Sequence, residues 1–293
     1  VEHDAEEIWQ NVGALMQEAM EGLTAADIAG VGIANQRETT VLWERATGKP
    51  VHHAIVWQDV RGKALTDRLS AHGEDVRALT GLQLSPYYSA AKAAAVLEEH
   101  PDLRARADRG ELCFGTVDSY LLYRLTEGKS FYTDVSNGSR TQLVNLSTLT
   151  WDESLCALFN LPRAMLADAV LTSDADFGVI TAIEALRGIH VAAMMGDSHA
   201  SLYGHGCVRP GMVKTSYGTG SSLMMNMGDT PRLSTNGLST SVGFGRGGKT
   251  CYVLEGNITC SADTLMWLKD DVNLIHDMSE LSAAADVPDT QGV

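Results

Sequence analysis

The residues with the most chemical reach are Asp197, the pair Arg37-Glu38 and the turn Gly218-Thr219-Gly220. Asp197 follows Gly196 directly after the apolar run 189–195, IHVAAMM. A carboxylate at the end of an apolar strand stands where open α/β sheets place their ligands. It could take a proton from a substrate hydroxyl. It could equally cap the helix that follows, and the local sequence leaves both readings open. Gln36-Arg37-Glu38 lies directly beyond a second apolar run, 28–35. An arginine and a glutamate at a strand end offer a polyol both donors and acceptors; as a surface ion pair they would mean little. Trp57 and Tyr87 could form the apolar wall against which sugars lie, although most such rings are simply core or rim. The small residues 218–222 could cradle a phosphate with backbone N–H groups and hydroxyls. Glycines there also suit a hairpin turn, and no lysine follows them as in a Walker A loop.

Other chemistries are excluded. Asp197-Ser198-His199 are consecutive, whereas a catalytic triad draws on separate elements, and no GxSxG elbow is present. Nine histidines show no HxxxH or HxH spacing and five cysteines no CxxC, so a zinc cluster is not expected. The scattered cysteines read as small buried hydrophobes in a reducing cytosol.

The elements that must position these residues read as mixed α/β. Asp4 and Glu7 suggest a capped first helix, with Ile8, Val12, Leu15, Met16, Ala19 and Met20 inward. The run 28–35 reads as a buried strand. Segments 39–43 and 54–57 flank the turn Thr47-Gly48-Lys49-Pro50 and suggest an antiparallel hairpin. Helices are predicted around 59–71, 88–99, 117–126 and from Thr150, with Glu153 as its box partner. A strand at 189–195, a helix at 199–205, a strand-turn-strand over 213–226, a strand at 251–255 and a helix near 261–269 follow.

The 293 residues suffice for one large or two ordinary domains. A net charge of −15 argues against nucleic acid or an anionic membrane as partner. No run of eighteen apolar residues would span a bilayer, and the first residues lack the pattern of a secretory signal; a cytoplasmic location is expected. The chain does not begin with Met, and both ends are expected to be cut.

Eight segments recur in a fixed order: NQRETT at 35–40, AIVWQD at 54–59, SPYYSAAK at 85–92, FGTVDSYLLYRLTEG at 114–128, TDVSNGSRTQLVNL at 133–146, GDSHASLYGHG at 196–206, GMVKTSYGTGS at 211–221 and YVLEGNI at 252–258. Each alone is modest; the ordered set is specific and covers nearly the whole chain. The chain resembles the FGGY family of carbohydrate kinases, and within it the members that act on glycerol. The resemblance implies an actin-like, RNase H-like pair of α/β domains closing over ATP, Mg²⁺ and a small polyol or sugar. Residues 1–204 would form the polyol-binding N-terminal domain without its first strands. Residues 205–293 would begin a truncated second domain. Asp197 matches the family's general base, Arg37, Glu38, Trp57 and Tyr87 its substrate contacts, and Thr219 and Gly220 its second phosphate loop. A homo-oligomer, dimer or tetramer, is implied as well.

Departures from the pattern matter too. Ser198 stands where glycerol-acting members carry glutamine, and Ser222, also expected at the substrate, where they carry an aromatic. Both shorten the side chain, and a wider, wetter pocket would take a longer polyol or a ketose. Ala95 replaces a tryptophan, and IEALRG at 183–188 lacks the glycine-rich basic insertion that binds a sugar-bisphosphate inhibitor. The family's first strand and adenine-binding half would lie before Val1 and after Val293, so this piece alone is expected to be inactive. A missing first strand would leave a sheet edge prone to association. Three readings follow: a kinase for glycerol, a kinase for a tetritol, pentitol or ketopentose such as xylulose, and a non-catalytic sugar-binding module, against which Asp197 counts.

Overall fold

The computed structural model describes residues 1–258 and 260–285. The last eight residues of the predicted second domain, 286–293, lie outside the described residues. The element that organises the first part of the chain is a parallel strand pair, Val31–Asn35 beside Val191–Gly196. Its register sets Gly196 opposite Asn35. Both chains therefore leave the sheet side by side, and Asp197 emerges next to Gln36-Arg37. Helix Val117–Leu125 packs over this pair, and its nearly continuous burial comes from being covered on several sides.

A second pair, Val41–Glu44 antiparallel to Leu112–Gly115, packs with helix Ser89–Glu99 into a neighbouring core around Leu42, Ile55, Val96 and Phe114. The expected hairpin exists only as backbone bonds and single bridges, Thr40 with Ile55 and Trp43 with Pro50. The outer segment is irregular, and on its other edge Ala54–Ile55 also pairs with Glu2–His3. Residues 41–44 pair with the buried strand on one edge and on the other bond to 49–51, through the Glu44 amide to the Lys49 carbonyl and the Val51 amide to the Leu42 carbonyl.

After helix Asp197–Gly204 comes a four-stranded antiparallel sheet. Its spatial order is Val213–Tyr217, Ser221–Gly228, Lys249–Ile258, Ser239–Arg246. Leu202, Met224, Phe244 and Val253 form the core between that helix and the sheet. Helix Ala262–Asp270 begins against the 218–220 turn, where the Ala262 amide donates to the Gly218 carbonyl at 3.1 Å.

Several sequence expectations are corrected. Asp4 caps helix Ala5–Ala19 through the Glu6 and Glu7 amides, but Leu15 is exposed and Ala19 faces solvent. The buried stripe centres on Ala5, Trp9, Val12, Met16 and Met20, and Leu15 falls at its margin. Helix Glu153–Leu158 is capped by Asp152, not by a residue at 150, because Thr150 pairs as a strand with Asn145. The region 59–71 is helical only over Lys63–Arg68, with a tighter turn at Ser70–His72. Four cysteines are buried as expected, but Cys260 is exposed.

Candidate active site

A cleft of about 180 Å³ opens where the two parallel strands end, between them and the four-stranded sheet. Arg37, Glu38, Trp57, Tyr87, Asp197 and Ser198 line it, with Gly220 and Ser222 on the sheet side. The structure thus brings these predicted residues together from five separate stretches of chain. Thr219 is not among the residues lining the cleft. It sits exposed at the adjoining turn, and its carbonyl accepts the Ser261 amide at 2.8 Å.

Asp197 is the first residue of its helix and does not cap it in the usual way. Its Oδ1 accepts only the Ser198 amide, at 2.6 Å. The side chain is 56% exposed, with Arg37 Nε 3.5 Å away. The protein mass around the cleft floor pushes its pKa up; Arg37 opposes this, and Glu38 and Glu255 add to it. An accessible carboxylate with a raised pKa is a stronger proton acceptor than an ordinary aspartate, which suits general-base work.

Arg37 owes its pose to buried partners. Its Nη1 and Nη2 donate to Glu255 Oε2 and Oε1 at 3.0 and 2.8 Å, a fork-to-fork pair. Arg140 Nε donates to Glu38 Oε1 at 2.5 Å, and its Nη1 lies 2.9 Å from Glu255 Oε2 as an ion pair without hydrogen-bond alignment. Two arginines and two glutamates therefore alternate in one buried group. Burial alone would raise the Glu255 pKa, yet Arg37 and Arg140 hold it far below the ordinary carboxylate range. Ser222 is only 8% exposed, and its hydroxyl donates to Glu255 Oε1 at 2.9 Å. Its short side chain makes room for that bond as well as for the pocket.

Glu38 adopts a left-handed φ of 60°, uncommon for a non-glycine residue and a sign of local strain. Its carbonyl is held by the Ser89 and Thr40 hydroxyls at 3.1 and 3.3 Å. The aromatic side is built from Trp57 edge-on to Tyr87, centroids 5.9 Å apart, with Tyr88 behind at 5.2 Å. Asn257 Nδ2 donates to the Tyr87 hydroxyl at 3.2 Å. The fully buried Lys92 ammonium donates to the Tyr87 carbonyl and lies 5.6 Å from its ring. Burial pulls the Lys92 pKa down to about 8, against the attraction of Glu38 and Asp59.

Behind the cleft, the buried Asp134 carboxylate accepts from the Ser136 and Asn137 amides, the Asn137 side chain and the Ser173 hydroxyl, at 2.8–3.0 Å. Asn137 and Asn35 exchange amide bonds, while the Ser136 hydroxyl accepts the Gly196 amide at 2.9 Å. One short turn therefore fixes the ends of both strands that carry the cleft residues.

The family model described as "FGGY family of carbohydrate kinases, N-terminal domain" matches residues 1–204. The chain belongs to the FGGY family of carbohydrate kinases. It is 48% identical to a glycerol kinase of Citrifermentans bemidjiense and 46% to one of Nocardia farcinica, covering all of this chain and 60% and 59% of theirs. The structure superimposes on the crystal structure of Plasmodium falciparum glycerol kinase with ADP with a TM-score of 0.86. That match has 34% identity and covers 96% of this chain and 57% of the other. A xylulose kinase from Rhodospirillum rubrum, 22% identical with a TM-score of 0.82 over 98% of this chain and 59% of its own, shares the fold. The chain thus spans about 60% of the length of the relatives it matches.

Within this FGGY chain, residue-by-residue reasoning passed over Glu255, Arg140, Asn257 and the Asp134 turn. Their segments, YVLEGNI and TDVSNGSRTQLVNL, belong to the ordered family pattern. No local spacing marks a lone glutamate in a strand as the partner of an arginine 218 residues away.

Proposed function

We propose that this chain is the substrate-binding part of an ATP-dependent polyol kinase with glycerol as acceptor, and that Asp197 is its base. The position of Asp197 carries the reading: an accessible carboxylate beside Arg37, in one cleft with Glu38 and the Trp57–Tyr87 wall. The 48% identity to a glycerol kinase supports the choice of acceptor. Polyol hydroxyls would bond to Arg37 and Glu38, and the carbon chain would lie against the rings. Asp197 would take the hydroxyl proton as that oxygen bonds to the γ-phosphorus. The bond from phosphorus to the leaving ADP oxygen breaks, and the proton then passes to solvent.

Backbone groups of the turn at Thr219 and Gly220 would hold phosphate oxygens at the cleft rim. ATP supplies the phosphoryl group, and Mg²⁺ neutralises its charge. Among the described residues, no group of three or more His, Cys, Asp or Glu could hold a metal. Mg²⁺ is usually held by substrate phosphates together with one or two carboxylates and several waters. The same reading places residues 1–204 and 205–293 in two domains flanking the cleft, and the protein in the cytoplasm as a homo-oligomer. Among the described residues no helix is long and apolar enough to cross a membrane. A second reading, a longer polyol or a ketose as acceptor, is favoured by the short Ser198 side chain on the cleft wall.

The test is ADP release by the complete protein over glycerol, tetritols, pentitols and ketopentoses, with Asp197→Asn alongside. The variant should keep polyol affinity within about threefold and lose roughly 10²- to 10⁴-fold in turnover. Unchanged turnover removes Asp197 from the mechanism. A wild-type protein that binds a polyol but phosphorylates none leaves the binding-module reading in its place.

A further inference from the structure

The alternating group Glu38–Arg140–Glu255–Arg37 joins two parts of the chain that the site requires to meet. Arg37 and Glu38 follow the parallel strand pair and Arg140 closes the Asp134 turn, whereas Glu255 lies on an inner strand of the four-stranded sheet, Lys249–Ile258. All four residues are buried, with Glu255 at 2% exposure. Glu255 takes both ends of the Arg37 fork, and that commitment turns the remaining Nε toward Asp197 at 3.5 Å and Glu38 at 4.0 Å. We propose that Glu255 is a positioning residue for phosphoryl transfer: it keeps the Arg37 fork away from Asp197, leaving that carboxylate free to accept a proton and Arg37 Nε free for the polyol.

The proposal rests on the kinase reading above. Without the Glu255 charge, the carboxylates left near the fork are the cleft-exposed Asp197 and Glu38, and Glu38 is already engaged by Arg140. A bidentate Arg37–Asp197 pair would stabilise the carboxylate and make it a poorer base. The charged groups facing Asp197 are Arg37, Glu38 and Glu255, and Lys214 on the neighbouring strand also feels its charge. Removing Glu255 strengthens the hold of the first and deletes one of the two repulsive carboxylates. Both changes act in the same direction.

The experiment compares Glu255→Gln and Ser222→Ala with wild type in the complete protein, measuring polyol KM, kcat and the pH dependence of kcat/KM. Glu255→Gln should raise the polyol KM roughly 10- to 100-fold, the scale of one charged hydrogen-bonding partner. It should lower kcat and move the acid limb of the profile about one unit downward. Ser222→Ala deletes only the hydroxyl on Oε1 and should shift the same parameters in the same sense by about threefold or less. A folded Glu255→Gln protein, by its unchanged circular dichroism, with an unmoved acid limb and KM within twofold overturns the proposal. If Glu255→Gln does not fold, an Asp197→Asn-like loss in Ser222→Ala without a pH shift overturns it too. A wild type that phosphorylates no polyol defeats the kinase reading instead, and a calorimetric polyol affinity unchanged in Glu255→Gln then overturns the positioning of Arg37 as well.

Discussion

At the scale of single residues, the cleft depends on one position having no side chain at all. A Cβ on Gly196 would lie 2.6 Å from Arg37 Cγ, 2.8 Å from its Cδ and 3.1 Å from His199 Nδ1. The backbone there is ordinary extended chain, φ −62° and ψ 145°, so glycine is required for space and not for conformation. Arg37 cannot swing aside cheaply, because its fork is tied to Glu255. Gly196→Ala should therefore displace Arg37 and cost about 1–3 kcal/mol, the usual range for overpacking. It should also weaken polyol binding well beyond what the stability loss explains. Urea unfolding and calorimetry of the same variant separate the two effects, and unchanged polyol affinity would show that Arg37 tolerates the methyl group. His199, next to that position, is fully buried, and desolvation followed by Arg37 keeps its pKa well below the ordinary value. Its Nε2 lies 3.4 Å from the Ser241 hydroxyl and the ring does not line the cleft, so Asp197-Ser198-His199 does not act as hydrolytic machinery there.

At the scale of elements, the turn Val135–Gly138 matters more than its four residues suggest. Asp134 caps it, and the Ser173 hydroxyl that bonds Asp134 also accepts the Gly245 amide at 3.2 Å. The Ser139 hydroxyl accepts the Val242 amide at 3.1 Å. The turn therefore connects the parallel pair to the four-stranded sheet, so the two walls of the cleft share one buried hydrogen-bond network. Asp134→Ala would take an acceptor from two backbone amides, an amide side chain and two hydroxyls in the interior. A loss of at least about 3 kcal/mol in urea unfolding is expected, since each buried unsatisfied group costs about 1–3 kcal/mol. A loss below 1 kcal/mol would mean that water replaces the carboxylate and that the turn does not hold the walls together.

At the scale of the whole molecule, a buried carboxyl gives stability a pH dependence of unusual sign. Asp118 is fully buried; desolvation, then the nearby Asp134 charge, raise its pKa to about 6, against the Thr116 and Thr133 hydroxyls that bond it. A folded pKa above the unfolded value means that the contribution is complete below about pH 4 and lost as pH rises through about 6. A shift from 3.8 to about 6 corresponds to about 3 kcal/mol. The melting temperature of Asp118→Asn, compared with wild type between pH 4 and 8, isolates this from other carboxylates. The variant should gain on wild type as pH rises from 4 to 7, and parallel curves would contradict the assignment.

Much of this protein was legible in its residues. Apolar runs ending in Gly196-Asp197 and in Asn35-Gln36-Arg37 identified strand ends bearing polar groups, but neither strand is buried on both faces as expected: Gly32, Ala34 and Ala192 are exposed, and alternate residues face the core. The ordered segments pointed to the family, and with it to Trp57, Tyr87, Ser222 and Gly220 as neighbours of Asp197. What the residues could not disclose was the register Gly196 opposite Asn35, the reach of Glu255 to Arg37 and Arg140, or the role of Asp134. Those depend on chain segments 60 to 218 residues apart meeting in space, and local propensity and periodicity carry no information about such meetings. The commitment of the Arg37 fork to Glu255, which leaves Asp197 free, is therefore decided only by the tertiary structure, where the parallel strand pair and the four-stranded sheet meet on one buried charge group.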